Sequence, residues 1–107
     1  MTAIAIAPTG RAGPSAPTTV HLSGEIDIFT SKALRQRLLS TLLYSTGVLV
    51  LDLSRVSFCD ATGLAVLVGI QHRARAQGVT LVLTAPRPDM IRLLRVTGLG
   101  RSLPMMR

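Results

Sequence analysis

The sequence runs to 107 residues, the length of one domain with a single modest core. Its 48% hydrophobic content excludes a chain disordered throughout, and its one cysteine, Cys59, excludes an internal disulfide and fits a reducing compartment. Twelve basic against five acidic residues leave a net charge of +7, but eleven of the twelve are arginines scattered along the chain and aromatic residues make up 3%, so a solvated basic surface suited to an acidic protein partner is favoured over a nucleic-acid site.

The N-terminal "MTAIAIAPTG" has neither a basic leader region nor a sustained apolar one, so no signal peptide is expected. Ile4 and Ile6 alternate weakly, which predicts an edge strand within residues 1–7. "APTGRAGPSAPTT" follows as a flexible loop, so residues 1–19 read as an edge strand plus loop. "VHLSGEIDI" places Val20 and Leu22 on one face before a glycine and two acids, the pattern of a short strand running into a loop.

From Thr30 the period changes to helical. Thr30 or Ser31 serves as N-cap, and Leu34, Leu38 and Leu42, with Leu39 and Leu43, form an apolar stripe of about four turns ending near "YSTG". "GVLVLDLS" is short, apolar and β-branched, which predicts a central strand covered on both faces. "DATGLAVLVGIQHRARAQG" then reads as a helix whose first half, Leu64 to Ile70, is apolar nearly all round and therefore buried, with Gly78 as its C′ residue. "VTLVLTA" predicts another buried strand, "PRPDMIRLLRVTG" a short helix between Pro88 and Gly98, and "LGRSLPMMR" one last strand. No apolar run reaches the length of a membrane span. The alternation of strand and helix predicts one α/β domain with a mostly parallel or mixed sheet.

The chemistry-bearing residues argue against an enzyme. No nucleophile elbow, P-loop or dinucleotide fingerprint is present, and His21 and His72 stand beside no nucleophile. One cysteine and two scattered histidines give no metal-ligand spacing, and no cofactor is implied. Asp52 reads as a turn or cap residue. A phosphoaspartate receiver fails for want of clustered carboxylates and a late lysine, since the sole lysine is Lys32.

That leaves "SFCDATGLAVLVG", where Asp60 or Ala61 takes the cap region of an apolar helix and Thr62 its first turn. Two readings stand at this point. Thr62 caps the helix, or Thr62 accepts a phosphate, which would add up to about two negative charges at a helix terminus able to receive them.

Three blocks, "LSGEIDIFTSKALRQRL", "VLVLDLSRVSFCDATGLAVLVG" and "GVTLVLTAPRPDMIRLLRVTGL", resemble the anti-sigma factor antagonists of the STAS domain family, with a match from about Val20 to Leu103. The resemblance implies a small mixed sheet with helices packed against it. It implies no catalysis, but a partner switch. The antagonist binds an anti-sigma factor that is itself a serine/threonine kinase, so freeing a sigma factor. Phosphorylation of the motif's hydroxyl ends the binding, and a phosphatase restores it. Carried over, the acceptor is Thr62, between Ala61 and Gly63, Asp60 is the motif's acid, and Asp27 in "GEID" is the acidic loop near acceptor and partner. "DATG" offers a single hydroxyl, a threonine where serine is frequent, and family members usually continue past the position of Arg107 through a last helix. The alternative is a non-switching STAS scaffold or an accessory subunit of a transporter or sensing complex.

Overall fold

The computed structural model describes residues 5–8, 18–45 and 47–106, so the loop expected before Thr18, Ile4 and Thr46 lie outside the described residues. Among the described residues, five strands form one sheet in the order of the chain: β1 (Ala5–Pro8), β2 (Thr18–Ile26), β3 (Val48–Cys59), β4 (Thr80–Thr84) and β5 (Met105–Met106). β1 pairs antiparallel with β2, and every other pairing is parallel, so the sheet is mixed. Three helices make the crossovers: α1 (Ser31–Leu43), α2 (Ala61–Ala76) and α3 (Pro88–Thr97).

Because each parallel crossover is right-handed and each steps the same way along the sheet, all three helices fall on one face. There Leu34, Leu38 and Leu42 of α1, Leu64, Leu67 and Ile70 of α2, and Met90 and Leu94 of α3 close over Val20, Leu22, Leu49, Leu51, Leu53, Leu81 and Leu83. Among the described residues no helix lies on the opposite face. β3, expected to be covered by neighbours on both faces, is covered by helices on one; on its other face Val50 is buried, Asp52 half-buried and Ser54 exposed.

Two strands outrun their sequence pattern. β2 continues through Gly24, where a loop was expected, because Gly24 takes a φ of 97° and lets the strand bulge while its pairing with β3 resumes. β3 likewise continues past Asp52 to Cys59, since β2 runs beside it as far as Ile26. Asp52 is therefore a mid-strand residue and neither a turn nor a cap. Its Oδ2 lies 3.0 Å from Nδ1 of His21 directly across on β2, and its Oδ1 accepts the Ser54 N–H at 2.8 Å.

The Ser54 N–H is the main reason the Asp52 carboxyl titrates below its ordinary 3.8, with His21 adding to it against a partial desolvation. A carboxylate favoured in the folded state stabilises above its unfolded pKa, and that contribution is lost as pH falls through the lower folded value. Asp52→Asn is expected to be less stable than the parent at pH 6, with the difference shrinking as pH falls through the acidic range, read as denaturation midpoints at a series of pH values.

The second helix is buried along one stripe only. Gly63, Leu64, Leu67, Ile70, Gln71 and Ala74 face the core. Ala65 and Gly69 are exposed and Val66 and Val68 half-buried, contrary to the expectation of burial all round, because helices on one side of a sheet leave each other's outer faces open. Gly78 takes the left-handed conformation after the helix, as its place in the sequence suggests, and Gln77 Nε2 donates to the Leu42 carbonyl at 2.7 Å, joining the ends of α2 and α1. The final block forms a 3-10 turn over Leu99–Ser102 before the short β5.

Candidate functional site

The C-terminal ends of β2 and β3 lie side by side, and the segments that leave them build one rim. Asp60 N–H donates to the Ile26 carbonyl at 3.1 Å, tying the start of α2 to the end of β2. Asp27, Asp60, Ala61, Thr62 and Gly63, separated in sequence by more than a helix and a strand, are brought to this one edge.

Asp60 is the N-cap of α2. Its backbone is extended and its Oδ1 accepts the Gly63 N–H at 2.9 Å, answering one of the helix's unpaired donors. Ala61 and Thr62 occupy the first two helical positions, and both are exposed. Neither of their N–H groups has an intrahelical acceptor, so they and the dipole present a positive end to solvent. The Thr62 hydroxyl has no hydrogen-bond partner among the described residues. Of the two roles open to it in the sequence, the cap belongs to Asp60.

Gly63 is buried beneath the rim because no side chain fits there. A Cβ would run into Cγ2 of Ile26 and stand 3.0 Å from both Sγ of Cys59 and the Ile26 carbonyl oxygen. The helix can thus approach the sheet closely enough to hold its first turn over the β2 end. Burial pushes the Cys59 thiol up to about 12, with the neighbouring Asp60 carboxylate acting in the same sense. A thiol so held is protonated at neutral pH and is no nucleophile.

Asp27 caps the other loop. Its Oδ1 accepts from the Phe29 and Thr30 N–H groups at 2.9 and 3.1 Å, and its carbonyl accepts from Ser31 at 2.8 Å. Thr30 stands at the N-cap position, as expected, but its hydroxyl turns back to donate to the Glu25 carbonyl at 2.8 Å. No side chain caps α1; its first N–H, that of Ser31, is met by the Asp27 carbonyl within an Asx turn that the helical period does not register. This turn holds Ile28 and Phe29 outward, 66% and 89% exposed, two apolar residues that sequence reading left unassigned.

Phe58, 49% exposed, stands at the end of β3, its backbone paired with that of Glu25. Three of the chain's five carboxylates, Glu25, Asp27 and Asp60, belong to this rim, which is locally acidic on a basic protein. Large exposed apolar groups beside fixed charge are the composition of a protein-binding surface. Among the described residues no three His, Cys, Asp or Glu side chains gather to hold a metal ion, and no helix is long and apolar enough to cross a membrane.

Comparison with known proteins places this architecture. Residues 9–106 match the family described as "Mlab, STAS domain". The chain is 38% identical over 80 residues to the anti-sigma-B factor antagonist of Bacillus subtilis, covering 75% of this chain and 72% of that protein. It is 30% identical over 87 residues to the anti-sigma F factor antagonist of Paenibacillus polymyxa, covering 80% and 74% respectively. The crystal structure of an anti-sigma factor antagonist from Mycobacterium paratuberculosis superposes with a TM-score of 0.76 at 30% identity, over 95% of this chain and 84% of that one.

Proposed function

The chain belongs to the anti-sigma factor antagonists of the STAS domain family, and from that premise we propose that it binds a cognate anti-sigma factor kinase through the rim around Thr62 and is released when Thr62 is phosphorylated. The binding frees a sigma factor, a phosphatase resets the switch, and the protein itself catalyses nothing. It works in the cytoplasm, where that kinase and sigma factor meet.

One observation carries the reading. With the cap of α2 supplied by Asp60, the Thr62 hydroxyl stands exposed and unbonded at the helix N-terminus, accessible to a kinase and unnecessary to the fold. A phosphate there meets the free N–H groups of the first turn, so the antagonist tolerates it. A partner seated on Ala61 and Thr62, with Gly63 expected at the contact but buried beneath them as their support, and with the Ile28–Phe29 turn, Asp27 and Asp60 on the same rim, meets up to about two new negative charges at its contact.

Incubation with the cognate anti-sigma factor kinase and ATP, followed by peptide mapping in a mass spectrometer, is expected to find a single phosphate on Thr62. Phosphate on Ser54 or Ser57, both exposed on β3, or none at all, would refute the assignment. A stable complex indifferent to phosphorylation would favour a scaffold or accessory subunit instead.

A further inference from the structure

We propose a second docking surface on this protein, remote in sequence from the Thr62 rim: the groove between α3, the Leu99–Ser102 turn and β5, which takes an acidic amphipathic helix from a protein partner. It goes beyond the switch reading and does not depend on it. The groove measures about 400 Å³ and is lined by Ile91, Leu94, Arg95, Arg101 and Met105, with Gly98 and Gly100 in its wall.

Its floor is apolar. Leu94 is buried, while Ile91 and Met105 are 41% and 44% exposed and line the same depression. Two glycines form part of its wall. Gly98 ends α3 in the left-handed conformation at a φ of 74°, and Gly100 lies beside Leu94, 3.5 Å from where its Cβ would stand. Met105 lies on β5, the outermost strand of the sheet.

Charge selects the occupant. Ile91 and Arg95 lie one turn apart on the same side of α3, and Arg101 closes the rim from the following turn. Among the described residues neither arginine has a carboxylate partner, and no acidic residue lines the groove. The neighbouring groove, lined by Phe58, Cys59, Leu93 and Val96, differs in holding Asp89 together with Arg92 and so has no such bias. A second copy of this chain seated face to face would set each Arg95 and Arg101 against arginines, on a protein of net charge +7. A helix with apolar residues at i, i+3, i+4 and i+7, flanked by glutamates, fills the floor and answers both guanidinium groups.

The test uses the full chain, isotope-labelled for amide NMR, and a synthetic helix of about 18 residues with leucine at those positions and glutamate and glutamine elsewhere. Shift changes are expected at Ile91, Arg95, Gly98, Gly100, Arg101 and Met105. The combined Arg95→Glu and Arg101→Glu variant should bind at least about tenfold more weakly. Arg73→Glu with Arg75→Glu, an equal charge change on α2, should alter affinity by less than about twofold, and Thr62→Glu should not alter it. The proposal is overturned if a leucine-scrambled peptide binds as well, if the α2 variant loses as much, or if Thr62→Glu abolishes binding. It is equally overturned if the same amides shift with protein concentration alone, which would seat a second copy there, or with dodecanoate but not the peptide, which would make the groove a small-amphiphile site.

Discussion

Replacing Gly63 by alanine is expected to lower the unfolding free energy by about 1–3 kcal/mol, the range typical of overpacking a filled core. The added methyl group has nowhere to go, because Ile26 beneath it is fully buried and β-branched and the Ile26 carbonyl is fixed by the Asp60 N–H. Relief comes only by lifting the first turn of α2 from the sheet, which breaks that tie and displaces Thr62 and Asp60 together.

Gly69 lies in the same helix, exposed and with open space where a Cβ would stand. There alanine is expected to stabilise by about 0.5–1 kcal/mol, the ordinary helix-propensity difference. Chemical denaturation of the two variants therefore gives opposite signs from the same substitution six positions apart on one helix.

Thr62→Glu is expected to weaken binding to the cognate anti-sigma factor about a hundredfold, equivalent to about 2.7 kcal/mol, while Thr62→Ala binds like the parent. The fold should not notice either change. Thr62 makes no hydrogen bond among the described residues, and a carboxylate in the first turn is favoured by the helix dipole. The loss therefore appears in affinity and not in stability, which separates a switch residue from a structural one. Calorimetric titration of each variant, with thermal unfolding in parallel, reads both quantities.

The elements of this fold were legible where the chain's period is local. The leucine stripe of α1, the terminal glycines Gly78 and Gly98, and the apolar runs of β3 and β4 announce themselves within a few residues. What escaped depends on neighbours distant in sequence. β2 crosses Gly24 and β3 passes Asp52 because each strand continues the other's pairing. The His21–Asp52 contact exists only in that register.

The outer face of α2 looked buried because its residues are apolar, and exposure is set by how many layers cover the helix. At the rim, "DATG" stood out through its resemblance to a family. Which residue caps the helix was settled by geometry, since Asp60 and Thr62 are both competent acceptors there. The Asx turn at Asp27, and the exposed Ile28 and Phe29 that it supports, carried no periodic signal, although Asp three residues before Thr30 is a pattern that could have found them.

The switch itself is tested most directly by one affinity measured three times on one preparation: unphosphorylated, stoichiometrically phosphorylated by the cognate anti-sigma factor kinase, and after phosphatase treatment. Tight binding, a loss of about a hundredfold and full recovery are expected, with Thr62→Ala binding tightly and unmoved by the kinase. Equal affinity in all three states, or a phosphorylation-dependent loss that persists in Thr62→Ala, would contradict the account.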